Sequence, residues 1–240
     1  MNVFELCIKM KNKQHKFYEY KQVEFEEFVA EVLYSKIKNI LNKNGKINIA
    51  LSGGNTPLPI LNLLKQKEIN WQRLNFFIVD ERCVSTEDSK SNFGNINRVF
   101  FNEVSSNKFT MILPNMSFEN SIKEYKNKIL KNVYLNSNGF PVFDLIILGM
   151  GDDGHTASLF PHTNGLKENK EWVVLNKIPQ LEVDRITLTY PVLLNAKEII
   201  VIVKGDLKRK IIEELYSNST TKYPMQKIVD EFDNLNWLIG

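Results

Sequence analysis

The residues best equipped for chemistry lie in Gly149-Met150-Gly151-Asp152-Asp153-Gly154-His155-Thr156-Ala157-Ser158-Leu159-Phe160-Pro161. His155 is one of three histidines, and its Gly-rich turn is a poor place for a core-packing role. An imidazole can take a proton from water near neutral pH and return it to a leaving group. Asp153 or Asp80 would orient the ring and stabilise its charged form. A turn histidine with ordinary hydrogen bonds explains the residue in isolation, but its flanking sequence outweighs that reading.

Asp80-Glu81-Arg82 places two carboxylates and a guanidinium after an apolar run. Arg82 could bind a carboxylate, a phosphate or a developing oxyanion; an ion-paired turn is the plain alternative. Ser52-Gly53-Gly54-Asn55-Thr56-Pro57 has the makings of an anion cradle. Two glycines let backbone N–H groups come close, the Ser52 and Thr56 hydroxyls complete the ring of donors, and a helix starting at Pro57 adds its positive end. The spacing is not that of a nucleotide P-loop, and a tight strand-to-helix turn would use similar residues. Lys208 falls in the first turn of a helix after Gly205, where a cation opposes the helix dipole, which suggests an external anion; taken alone, a solvated Lys beside Arg209 and Lys210 is the favoured reading. Arg185 begins an expected strand and reaches the same edge only if that strand is antiparallel or the preceding loop folds over.

The elements that must position these residues follow from apolar patterning. Phe25, Phe28, Val29, Val32, Leu33, Ile37, Ile40 and Leu41 recur at helical spacing, predicting a helix from Val23 to Leu41 that ends near Asn44-Gly45. Short apolar runs at 47–51, 75–79, 143–148, 185–189 and 198–204 read as strands, with a further one at 236–239. Helical stretches fall after Pro57, around 122–130 and over 206–216. Near-continuous apolar strands alternating with helices predict an α/β fold: a three-layer, Rossmann-like, doubly wound and mostly parallel sheet with helices on both faces. Each polar motif follows a strand end, so the turns emerge on one carboxyl edge, where such sheets bind ligands. Segments 85–92 and 132–139 read as surface loops. Without an internal repeat or a Pro/Gly-rich linker, 1–240 is expected to be a single domain.

Composition narrows the class. The formal net charge of +3 suits a small anionic substrate and gives no reason to invoke nucleic acid or a membrane. Cys7 and Cys83 lack pairing or metal-type spacing and read as free thiols in a reducing compartment. The first 17 residues break their apolar positions with charges, unlike a signal peptide. A cytoplasmic protein without metal or cofactor is expected.

The motifs LSGGNTP at 51–57, VDER at 79–82, SN at 91–92, DLIILGMGDDGHTASLFP at 144–161, RITLT at 185–189 and GDLK at 205–208 together resemble the 6-phosphogluconolactonase branch of the glucosamine-6-phosphate isomerase/6-phosphogluconolactonase superfamily. The departures are Asn55 where Ser is common, Asp152 where Glu is common and Cys83 where an aromatic is frequent. The resemblance implies metal-independent hydrolysis of 6-phospho-D-glucono-1,5-lactone, a step of the oxidative pentose phosphate pathway, by a monomer or small homo-oligomer. It implies His155 as general base. It implies a phosphate held by Gly53, Gly54, Thr56 and Lys208 with help from Arg185, and Arg82 beside either the phosphate or the lactone. Asp80, Ser91 and Asn92 would shape the site or meet sugar hydroxyls. The rival within the superfamily, an amino-sugar phosphate deaminase/isomerase, generally carries a Glu within an N-E-P sequence after the histidine; here the matching stretch is Leu159-Phe160-Pro161. A non-catalytic sugar-phosphate binder is the rival of another class, and it would be expected to have lost His155, Asp153 or Asp80.

Overall fold

A computed structural model describes residues 4–10 (backbone), 13–20, 24–217 and 222–240. The start of the expected helix at Val23 and the Cys7 thiol lie outside the described residues. The chain opens with strands β1 (Phe4–Met10) and β2 (Lys13–Glu19), then helix α1 (Phe25–Lys43), β3 (Ile47–Leu51) and α2 (Pro57–Leu64). Next come β4 (Leu74–Ile78), β5 (Asp80–Arg82), α3 (Asn92–Ile96), β6 (Asn107–Phe109), α4 (Phe118–Asn132) and β7 (Leu145–Leu148). The last third holds β8 (Val173–Asn176), β9 (Arg185–Leu188), α5 (Tyr190–Leu194), β10 (Ile199–Val203), α6 (Asp206–Ser217), α7 (Met225–Glu231) and β11 (Leu235–Ile239).

Eight strands form the main sheet in the order β1-β2-β11-β10-β7-β3-β4-β6. Only the β1–β2 hairpin is antiparallel. Every residue of β4, β7 and β10 is buried, so both faces of the sheet centre are covered. That is why these strands read as unbroken apolar runs rather than alternating ones. Each Leu, Ile or Phe so enclosed contributes about 1.5–3 kcal/mol of transfer free energy. Helix α1 supplies part of the cover with the stripe Phe25, Val29, Leu33, Ile37 and Leu41, all buried at a spacing of one helical turn.

From β3 the chain steps outward to β4 and β6, whereas from β7 it steps the other way, to β10 and β11. Right-handed crossovers then put the two sets of connecting helices on opposite faces. Accordingly α1 packs on α2, while α7 packs on α5 and α6. Adjacent strands β3 and β7 thus form the topological switch point, and the crevice above their carboxyl ends is where an open sheet of this kind binds ligands. At the opposite edge Asn75 donates to Asn48 (2.9 Å) and Asn107 donates to Asn75 (2.8 Å), a side-chain ladder that pins the register of β3, β4 and β6.

Sequence patterning does not reveal a second, three-stranded antiparallel sheet, β5-β9-β8. Asp80-Glu81-Arg82, read as a turn, is its first strand, because β9 returns alongside it and pairs Arg82 with Arg185. The stretch read as a surface loop at 85–92 ends in buried residues, Ser91 and Asn92.

The N-terminal hairpin is fastened through a buried histidine. His15 Nε2 lies 2.9 Å from the Phe232 carbonyl, so this nitrogen carries the proton. Nδ1 then accepts from the Tyr216 hydroxyl at 2.6 Å, whose oxygen accepts from the Trp237 indole at 2.9 Å. Burial lowers the His15 pKa; the Phe232 carbonyl, Asp233 and Asp230 pull it upward and Lys13 pushes it down, with the net shift below 6.5. The unfolded chain therefore binds the extra proton first. This contribution to stability is complete above about pH 6.5 and is lost as pH falls from there toward the folded-state value. Urea midpoints measured at pH 7.5 and 5.5 are expected to drop more for the wild type than for His15→Gln, and equal drops would refute the assignment.

Candidate active site

Above β3 and β7 lies an open cleft of about 190 Å³, several times the ~30 Å³ share of one water. It brings together most of the residues singled out from the sequence. The turn after β3 lines one side with Ser52, Gly53, Gly54, Asn55 and Thr56, and α2 begins at Pro57, so the turn and the helix N-terminus border the same space. Gly54 has φ +101°, a conformation that disfavours a side chain. Lys208, in the first turn of α6, reaches the cleft from β10. Asp80 and Arg82 line the wall made by β5, and His155 approaches from the turn after β7.

His155 Nδ1 is 2.5 Å from Asp153 Oδ1, and the same oxygen accepts from the His155 amide at 3.1 Å. The ring stacks on Phe160, with centroids 3.9 Å apart. Burial tends to raise the Asp153 pKa, but the bonds and charge from His155 outweigh it and hold the carboxyl below its usual range. An ionised carboxylate on Nδ1 fixes the proton there and leaves Nε2 with its lone pair. Of the two carboxylates considered as the orienting partner, Asp153 is therefore the one in hydrogen-bonding contact. Asp80 is turned elsewhere: its Oδ2 accepts from the Ser158 hydroxyl at 2.6 Å.

Three expected residues are not on the cleft lining. Asp153 sits behind the imidazole. Ser91 is fully buried, with its hydroxyl donating to Glu81. Arg185 lies beyond Arg82, in an adjoining hollow shared with Arg82 and Lys90. Its guanidinium donates to the carbonyls of Val183 and Asp184. Burial, and after it the neighbouring Arg82 charge, lowers the Arg185 pKa. Asn92 lines the cleft with its Nδ2 donating to the Asp80 carbonyl at 2.8 Å, while its Oδ1 is buried without a hydrogen-bond partner among the described residues.

Sequence reasoning also missed the support behind the histidine turn. The small sheet grips it strand by strand. Asp80 on β5 holds the Ser158 hydroxyl, Thr187 on β9 accepts from the Ser158 amide at 3.1 Å, and Asn176 on β8 donates to the Ser158 carbonyl (2.8 Å) and to Thr163 (2.9 Å). Nothing in Asn176 or Thr187 as isolated letters marks this. Ser158, inside the motif, was the only available signal.

Among the described residues no cluster of His, Cys, Asp and Glu has the arrangement of a metal site, and no helix is long and apolar enough to cross a membrane. Burial and then Asp184 push the Cys83 thiol up to about 12, so it is a poor nucleophile.

Residues 21–237 match the family described as glucosamine-6-phosphate isomerases/6-phosphogluconolactonase. A 6-phosphogluconolactonase of Synechocystis is 32% identical over 211 residues, covering 85% of this chain and 86% of that protein. One of Thermotoga maritima is 31% identical over 197 residues, covering 81% and 86%. A crystal structure of 6-phosphogluconolactonase from Thermotoga maritima superposes with a TM-score of 0.82 at 29% identity, over 93% of this chain and 98% of that one.

Proposed function

Because the chain belongs to the family of glucosamine-6-phosphate isomerases and 6-phosphogluconolactonases, we propose that it hydrolyses 6-phospho-D-glucono-1,5-lactone to 6-phosphogluconate. The observation that carries this reading is the shared cleft: an imidazole backed by a carboxylate on one side, an anion cradle with Lys208 on the other. The names of the relatives, 6-phosphogluconolactonases, support the same substrate.

The phosphate rests on the amides of the Gly53–Thr56 turn, at the α2 N-terminus, and on the Lys208 ammonium. Anchored there, the lactone presents its carbonyl to His155. Nε2 takes a proton from a water whose oxygen attacks the carbonyl carbon. The tetrahedral oxyanion forms in a cleft that also holds the Arg82 guanidinium. As the bond from the carbonyl carbon to the ring oxygen breaks, the imidazolium returns its proton to that oxygen. Asp153 keeps the ring oriented and balances its positive charge between the two transfers. The deaminase/isomerase reading gains no support here, since Phe160 stacks on the imidazole and no carboxylate stands at 159–161.

The direct test generates the lactone enzymatically and compares its disappearance with spontaneous hydrolysis; equal rates would overturn the proposal, as would ammonia release from glucosamine 6-phosphate. Product binding without turnover would point to a non-catalytic binder. Lys208→Ala is expected to raise KM about 10–100-fold, the loss of a charge-assisted contact worth about 1.5–3 kcal/mol. An unchanged KM in steady-state kinetics would remove Lys208 from the phosphate.

A further inference from the structure

Strand β5 alternates Asp80, Glu81, Arg82, and successive side chains of a strand point to opposite faces. Asp80 and Arg82 line the cleft, whereas Glu81 turns away from it and is completely buried. Among the described residues no cation pairs with this carboxylate. Its Oε1 accepts from the amides of Arg82 and Asn92, each at 2.7 Å. Its Oε2 accepts from the Phe93 amide at 2.7 Å and the Ser91 hydroxyl at 3.0 Å. Burial raises the carboxyl pKa, and these four donors oppose the rise. An enclosed carboxylate is costly unless its acceptor capacity is filled, and here it is filled by the Arg82 amide and by three donors from Ser91, Asn92 and Phe93 around the start of α3.

Those bonds fix where Asn92 stands. Its Nδ2 is tied to the Asp80 carbonyl, and its Oδ1 presses against Gly53 so closely that a β-carbon there would lie 2.0 Å away. Asn92 is thus a spacer between β5 and the anion-cradling turn, and Gly53 is the residue that admits it.

We propose that Glu81 is a positioning residue for substrate affinity: through Ser91-Asn92-Phe93 it sets the separation between the Gly53–Thr56 turn and Arg82 across the cleft. The assignment rests on reading that cleft as the sugar-phosphate site. The imidazole and Asp153 sit on the turn after β7, and β5 reaches that turn through the Asp80–Ser158 bond, not through Glu81, so loosening the Glu81 clamp acts first on binding.

The experiment compares wild type and Glu81→Gln as full chains, measuring kcat and KM on the lactone, the Kd for 6-phosphogluconate by calorimetry, and Tm. Glutamine has one acceptor oxygen and adds an NH₂ facing amide donors, so several of the four bonds are lost. KM and Kd are expected to rise together by about 10-fold or more, with kcat within about threefold of wild type. A lower Tm with unchanged KM and Kd would reduce Glu81 to a stability role and overturn the proposal. A collapse of kcat at constant KM would overturn it too, by placing Glu81 in the chemistry. Should Glu81→Gln not fold, Ser91→Ala removes a single donor, and KM and Kd are then expected to rise about 2–10-fold; no rise counts against the clamp. Gly53→Ala displaces the same Asn92, so its effect on Kd combined with Glu81→Gln is expected to be less than additive. Full additivity would refute a shared route through Asn92. A wild type that binds 6-phosphogluconate but leaves the lactone untouched sinks the proposed activity alone, since the Kd comparison still decides the clamp.

Discussion

Replacing His155 by glutamine is expected to lower kcat by about 10²–10⁴-fold, while 6-phosphogluconate binding and Tm stay near the wild-type values. Glutamine keeps a polar group of similar reach but cannot hold and return a proton. The fold does not depend on the imidazole: its ring is partly exposed, contacts Asp153 and stacks on Phe160, and it bridges no two strands. Because the lactone also opens unaided, the measured quantity is the enzymatic excess over spontaneous hydrolysis at one pH. Near-normal turnover in this variant would remove His155 from the mechanism, and the cleft would then need another base.

A single methyl group placed at Gly151 is expected to cost about 10²-fold in kcat with His155 and Asp153 both present. A β-carbon on Gly151 would lie 2.1 Å from His155 Cε1, 2.2 Å from Nδ1 and 3.0 Å from Asp153 Oδ1. Gly151 is not among the residues with positive φ, so Gly151→Ala brings no penalty of backbone conformation. The turn's own bonds, from the Gly151 amide to the His155 carbonyl and from the Gly154 amide to the Gly151 carbonyl, use atoms that alanine retains. What gives way is the imidazole, pushed off Asp153 and out of its stack. Misplacing a reacting group by about 1 Å costs on the order of 10²-fold. Steady-state kinetics alongside calorimetric product binding checks this, since KM and Kd should move little. Turnover equal to wild type would mean that the Asp153-held pose is not the reactive one.

Much of the architecture could be read from the chain because its strongest signals are local. The α1 stripe and the apolar runs of β3, β4, β7 and β10 are dictated by burial of each element by itself. The unread parts depend on distant partners. Strand β2 carries Lys13, Lys16 and an alternating pattern, and it becomes a sheet strand by pairing with β11 from the far end of the chain. Strand β5 is only three residues long and exists as a strand because β9 lies beside it. The site divides in the same way. His155, the Gly53–Gly54 turn and Lys208 are each ambiguous alone and stand out because their motifs all follow strand ends. Choosing between Asp153 and Asp80 required a distance, and the sequence weighed them equally. Asn92 was expected to shape the site or meet sugar hydroxyls; only a distance shows it tied to the Asp80 carbonyl and pressed against Gly53. Glu81 was merely the middle letter of a charged triplet, although strand alternation alone would have set it apart from its two neighbours.

The crossing point between β3 and β7 has a consequence for how the molecule acquires its activity. The Gly53–Thr56 turn belongs to the half of the chain that winds one way, and the His155–Asp153 pair and Lys208 to the half that winds the other. Neither half contains a complete set. Parallel strands joined through long crossovers are among the slower contacts to form during folding. Turnover during refolding therefore reports the docking of β3 on β7, a late event, and lags behind the helical signal that α1 and the other local elements recover first.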